Sequence, residues 1–209
     1  VVDGTGITDL EYFNGHYLDR KDDRIFFEKL RQRSDAVGAQ STLMLCKSLI
    51  PLDGPDVETR KASVEELRAW MKGFQILGGS MIRVDVRSPG EYRQMLDRAE
   101  DGLLRLAEVA DEMELDVVVE NHGGWSSYGR WVYDLMKRVD HPRVGTLPDF
   151  QNFKDYDIYQ GVEEMMSWAK AICAKAKEFN QAGEETHVDF FRMLKIITAH
   201  GFTGSIGIE

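Results

Sequence analysis

The chain has 209 residues, of which 43% are hydrophobic and 30% charged, and its formal net charge is −10. That balance suits a folded domain with a substantial core rather than a disordered chain. The acidic excess, with Lys and Arg scattered among the acids, excludes a nucleic-acid binder held by a basic face. No run is long and apolar enough to span a bilayer. Two cysteines, Cys46 and Cys173, are too few for a disulfide framework and fit a reducing, cytoplasmic setting. No charged, apolar leader opens the chain, but Val1 need not be the start of the gene product, so secretion stays open.

Apolar, β-branched runs alternate with segments of helical period from end to end. In chain order the pattern predicts strands over 8–13, 41–46, 81–86, 116–120, 144–149, 170–175 and 204–209. Helices are predicted over 23–35, 62–77, 91–114, 130–138, 161–169 and 188–200. In the second of these, Ser63 with Glu66 reads as a capping box, Leu67, Trp70, Met71 and Phe74 form an apolar stripe, and Gly78-Gly79 ends it. This alternation predicts an α/β fold, a (β/α)8 TIM barrel in one domain over 1–209 that lacks the first βα unit and the last helix. Because such a ring would expose two parallel edges, a longer protein or another element is expected to cover the gap. A doubly wound sheet is the rival, but Gly4-Thr-Gly6 precedes a strand where a phosphate loop would follow one.

Three predicted strands end on an acid: Glu120 after Asp116-Val-Val-Val, Asp149 after Val144-Gly-Thr-Leu-Pro, and Glu209 after Gly204-Ser-Ile-Gly-Ile. A carboxylate behind a buried run needs a partner, a hydrogen bond or a cation. On one rim of a parallel barrel the three would share that reason, as a metal or acid–base site. In Glu120-Asn-His122-Gly-Gly124 the glycines let backbone approach a ligand, and Glu120 and His122 share a face if the chain stays extended. Asn152 is read as a cap or a substrate contact. Arg83, Asp85 and Arg87 alternate on one strand face, with structural pairing expected for Arg83 and substrate contact for Arg87. Trp125 is a candidate to stack on a sugar ring, while Trp70, Trp131 and Trp168 read as core. Loop polarity is the expected role of Glu11, Asn14 and His16, at the end of the first strand, with lining of the pocket the alternative.

Five motifs in order, Leu10-Glu-Tyr-Phe13, Glu120-Asn-His-Gly-Gly124, Gly145-Thr-Leu-Pro-Asp149-Phe-Gln-Asn-Phe153, Ala174-Lys175 with Val188-Asp-Phe-Phe, and Gly201-Phe-Thr-Gly-Ser-Ile-Gly-Ile-Glu209, resemble the sugar phosphate isomerase/epimerase superfamily of xylose isomerase-like TIM barrels. The resemblance implies a divalent metal, Mn²⁺, Mg²⁺, Co²⁺ or Zn²⁺, with Glu120, Asp149 and Glu209 in the first, second and fourth ligand places. The third place departs from the pattern, since Cys173-Ala-Lys175 stands where the family reads His-x-Lys. Either Cys173 is the third ligand, a thiolate suited to Zn²⁺ and poorly to Mn²⁺ or Mg²⁺, or Lys175 neutralises the acids without a metal. The implied activity is a sugar, sugar phosphate or polyol isomerase or epimerase in which Glu120 and Glu209 pass a proton, with His122, Lys175, Arg87, Asn152 and Trp125 as substrate contacts. Its rivals are a lyase, dehydratase or keto-sugar hydrolase on the same barrel, and a non-catalytic carbohydrate-binding barrel with a degraded metal site. The expected partner is a small carbohydrate, with no nucleic acid or membrane, and a homo-oligomer stays open.

Overall fold

The computed structural model describes residues 4–209, and among them seven strands alternate with six α-helices. Strand β1 (Asp9–Phe13) pairs with β2 (Gln40–Leu45), β2 with β3 (Met81–Val84), β3 with β4 (Asp116–Glu120) and β4 with β5 (Val144–Leu147), all parallel. β6 (Ile172–Ala174) pairs with β7 (Ile206–Ile208). Single parallel bridges from Thr146 to Ala169 and from Asp149 to Cys173 join β5 to that pair. The ladder thins here because Pro148 has no N–H, although its carbonyl still accepts from Cys173 N at 2.9 Å.

Parallel neighbours require crossovers, supplied by α1 (Arg24–Asp35), α2 (Val57–Leu77), α3 (Tyr92–Met113), α4 (Gly129–Val139), α5 (Ile158–Met165) and α6 (Phe190–Ala199). The main core lies between helices and sheet, where Trp70, Phe74, Leu103 and Trp131 pack with Ile82, Val84, Val117 and Val119. A second layer inside the ring joins Leu43, Val118, Leu147 and Cys173 from four strands. The two-residue period of β4 sends Val117 and Val119 to the helices and Val118 to the interior. Glu120, two residues beyond Val118, therefore leaves the strand on the interior side.

β1 and β7 are not paired through their backbones. Ser205 Oγ donates to Asp9 Oδ2 at 2.8 Å, and a Cβ built on Gly207 would lie 2.5 Å from Glu11 Oε1. Side chains thus bring the ends of the sheet together, while Ile208 on the outer strand stays exposed.

Several boundaries differ from those read in the sequence. α2 begins at Val57, capped by Asp56, whose Oδ1 accepts from Thr59 N at 2.8 Å. Ser63 and Glu66 are no capping box. Ser63 Oγ donates to Ile50 O at 2.8 Å and Glu66 Oε2 accepts from Ser48 Oγ at 2.7 Å, so both hold the loop after β2. β3 stops at Val84, because the chain beyond it turns to bring Asp85 and Arg87 to the rim.

Candidate active site

The acids at the strand ends meet at one mouth of the ring, in two adjoining groups. Ligand atoms of Asp149, Cys173 and Glu209 lie within 4.8 Å of one another. Asp149 is fully buried. Its Oδ1 accepts from Gln151 N at 2.7 Å and Asn152 N at 2.8 Å, while Oδ2 has no hydrogen-bond partner. Asn121 fixes the Asp149 backbone from both sides, donating to its carbonyl at 2.9 Å and accepting from its N–H at 2.7 Å. The Cys173 thiol donates to Glu209 Oε2 at 3.2 Å. Lys175 Nζ lies 2.5 Å from Glu209 Oε1 and 3.9 Å from Asp149 Oδ2.

Glu120 lies outside that triad. Its Oε1 accepts from Asn152 Nδ2 at 3.0 Å, and its Oε2 is 2.6 Å from Arg83 Nε. This contact is an ion pair without an aligned hydrogen bond, since neither atom has a hydrogen-bond partner. Arg83 also donates from Nη1 to Asp85 Oδ1 at 2.9 Å. The same Asp85 oxygen is 3.1 Å from His122 Nδ1, which also stands 3.3 Å from Arg87 Nη1; with the proton on Nδ1 the ring donates to Asp85 and presents Nε2 as the basic nitrogen. Arg87 Nη2 stands 3.4 Å from Asp85 Oδ2. Lys47, Arg83, Asp85, Arg87, His122 and Glu209 surround a cavity of about 380 Å³, with Phe13 and Leu45 as apolar walls.

The Gly-Gly turn shapes this wall. Gly123 and Gly124 have φ of +91° and +57°, and a Cβ on Gly124 would meet the Arg87 carbonyl oxygen at 2.8 Å. Only glycine lets the turn press on the Arg87 backbone.

The electrostatics follow from burial inside a crowd of acids. Burial pushes the Glu120 carboxyl above its ordinary range, against the pull of Arg83. Burial likewise raises Asp149, against the Gln151 N–H, the neighbouring Cys173 thiol and the charge of Lys175. Burial acts to raise Glu209 too, but Lys175 and Cys173 outweigh it and hold that carboxyl low. Burial, then the Asp149 charge, push the Cys173 thiol up, so it is protonated. Burial works against the Lys175 ammonium, yet Glu209 and Asp149 prevail and raise it. Glu11 is driven to about 7 by burial and then by Glu209, Glu120 and Asp9.

The structure thus unites Asp149, Cys173, Glu209 and Lys175, and brings His122 and Arg87 to the cavity. Three expectations change. Glu120, expected as a ligand, is sealed behind Arg83 and is 2% exposed. Asn152 spends its amide on Glu120 rather than the cavity. Trp125 donates its indole N–H to Gly90 O at 2.8 Å and packs, half-buried, between Tyr92 and Tyr128 against the main core, away from the residues that line the cavity. Sequence reasoning missed Asn121 and Glu185, and it favoured loop polarity over the rim for Glu11. Glu185 gathers the loop after β6, accepting from Lys177 N at 3.1 Å, His187 N at 2.5 Å and Gln151 Nε2 at 3.1 Å. The turn-like Asn180-Gln-Ala-Gly-Glu-Glu185 segment was the one local signal for that hub.

The donor set fits a divalent cation. A buried carboxylate oxygen with no hydrogen-bond partner, at Asp149 Oδ2, lies beside a thiol and a second carboxylate within ligand reach.

The sequence profile of the xylose isomerase-like TIM barrel matches residues 4–209, and the chain belongs to that family. A search of curated proteins finds no match to the sequence. Among solved structures, the chain is similar to an IOLI protein with a bound zinc atom, at a TM-score of 0.81 and 14% identity over 100% of this chain and 81% of that one. It is also similar to D-psicose 3-epimerase with D-tagatose from Clostridium cellulolyticum H10, at 0.79 and 17% over 98% and 75%. A third is 3-keto-D-glucoside 4-epimerase, YcjR, from E. coli, at 0.73 and 14% over 97% and 91%. At these identities the likeness establishes the fold.

Proposed function

We propose that this chain is an epimerase or isomerase of a small ketose or related polyhydroxy ketone, moving a proton on a carbon beside the carbonyl. The observation that carries the reading is that Glu209, His122 with Asp85, Arg83 and Arg87 share one cavity of about 380 Å³, the size of a single small polar ligand's site. Its similarity to D-psicose 3-epimerase and to 3-keto-D-glucoside 4-epimerase supports the same chemistry.

The reaction removes a proton from carbon as the C–H electron pair moves toward the carbonyl oxygen. Glu209 is the carrier on the cavity wall, kept ionised by Lys175 and therefore ready to accept. The Arg87 guanidinium, joined by that of Arg83 while it stays against Glu120, puts positive charge on the cavity wall for the oxygen that becomes negative. Return of a proton to the opposite face of the same carbon gives the epimer, and return to the former carbonyl carbon, with the hydroxyl proton of the first carbon passing to the former carbonyl oxygen, gives the isomer. Glu120, with its raised pKa, is the second carrier in the two-glutamate scheme, and reaching it requires Arg83 to swing away.

A second reading assigns that role to His122, because His122 lines the cavity and Glu120 does not. With Nδ1 on Asp85, the free Nε2 exchanges the proton. A divalent cation held by Asp149, Cys173 and Glu209 would supply further polarisation of the carbonyl and hold the charge on oxygen.

The test is product analysis on a panel of ketoses and keto-sugars, phosphorylated and free. An epimer or aldose is expected, formed at least about a hundredfold more slowly by Glu209→Gln. His122→Gln and Glu120→Gln separate the two assignments of the second carrier. Elimination products alone, or no product from any substrate, would overturn the reading.

A further inference from the structure

The rim triad contains one donor that hard cations do not favour. We infer that Asp149, Cys173 and Glu209 form a thiophilic metal site, taking Zn²⁺ or Co²⁺ with Cys173 as a thiolate ligand and discriminating against Mn²⁺ and Mg²⁺.

Three observations meet here. The ligand atoms of the three residues lie within 4.8 Å of one another, close enough for one ion to touch all three. Asp149 Oδ2, in a side chain fully withdrawn from solvent, has no hydrogen-bond partner, although such an oxygen is costly to bury unmatched. The sulfur stands between the acids, with Cys173 Sγ 3.2 Å from Glu209 Oε2 and its strand bridged to Asp149. The other cysteine, Cys46, is buried in the main core and belongs to no such cluster among the described residues.

The donor set decides the ion. Thiolate is soft and binds Zn²⁺ or Co²⁺ strongly, whereas Mn²⁺ and Mg²⁺ prefer oxygen. Had the third donor been an oxygen, the site would have offered no such discrimination. Binding forms a sulfur–metal bond and sends the thiol proton to solvent, with no change in oxidation state. Lys175 sets the cost of entry. Its ammonium sits 2.5 Å from Glu209 Oε1 and 3.9 Å from Asp149 Oδ2, a positive charge against which any cation must enter, while Glu209 Oε2 faces the Cys173 sulfur. The inference extends the proposed function at the same rim, but its test uses no substrate, so its failure would leave the proton-transfer reading standing or falling on product analysis.

The experiment is titration of the full chain with Co²⁺ followed by absorbance. A sulfur-to-cobalt charge-transfer band is expected at one equivalent, with loss of the band when Zn²⁺ is added and no loss with equal Mn²⁺. Cys173→Ser abolishes the band and weakens Co²⁺ binding at least about tenfold, because even residues that only support a ligand cost that much. Cys46→Ala keeps the band. Should Cys173→Ser fail to fold, X-ray absorption at the zinc edge of the unaltered chain decides the matter, with one sulfur expected at about 2.3 Å. Absence of the band in the unaltered chain, its survival in Cys173→Ser, displacement by Mn²⁺, or a zinc shell of oxygen and nitrogen alone would each overturn the inference.

Discussion

Replacing Glu11 by Gln will stabilise the protein by an amount that grows as pH rises above about 4.5 and is complete above about 7. The side chain lies at the seam between the first and last strands, against Gly207 and in the field of Glu209, Glu120 and Asp9. In the unfolded chain it releases its proton near 4.5, and in the native protein near 7. Between those values the native state binds the extra proton, so stability falls as pH rises through the window and the full penalty is present above it. The gap corresponds to about 3 kcal/mol. Exposure of the carboxylate at the seam and screening by salt reduce this to about 1 kcal/mol. For a chain of this length that is about 2–4 °C in Tm. Thermal melts of both proteins at pH 4 and pH 8 make the comparison. Glu11→Gln should melt higher at pH 8 and indistinguishably at pH 4. Equal melting temperatures at both values, or a gain confined to acid, would refute the placement of Glu11 among the rim acids.

Arg83→Met strands Glu120 as an uncompensated buried acid and should cost about 3–5 kcal/mol in urea denaturation, much of it recovered by adding Glu120→Gln. Gly124→Ala forces a side chain onto a left-handed turn and against the Arg87 carbonyl, so a loss of about 1–3 kcal/mol and a lower Tm are expected by calorimetry. Burial opposes the ionised form of Glu185, but the N–H groups it accepts from outweigh burial and lower its pKa to about 2. The loop after β6 should therefore stay ordered from neutral pH down to about 4 and loosen as pH falls toward 2, whereas Glu185→Gln should be cut in that loop by protease already at neutral pH.

What the sequence disclosed is what local pattern encodes. The order of βα units and the acids at the strand lips were legible because an acid directly behind a run such as Val117-Val-Val119 stands out against the two-residue period. The alternation Arg83, Asp85, Arg87 was legible for the same reason, and the pairing of Arg83 with Asp85 follows it. The contacts that reassign the site are long-range. Arg83 closes on Glu120 across two neighbouring strands, Asn152 reaches back from the loop after β5, and Gln151 joins the Glu185 hub from a separate loop. No periodicity within a segment carries such pairings. Trp125 was misread because its fate depends on Gly90 and Tyr92, one βα unit away. The start of α2 was missed because Ser63 and Glu66 match a cap pattern that Asp56 fulfils instead.

The central claim is proton transfer at carbon by groups of this rim, and exchange with solvent tests it without requiring net turnover. Ketoses incubated with the protein in deuterated water should take up deuterium at the carbon beside the carbonyl, as read by NMR, and Glu209→Gln should suppress that uptake. Substrate that binds yet keeps its proton, or uptake that Glu209→Gln leaves unchanged, would contradict the account.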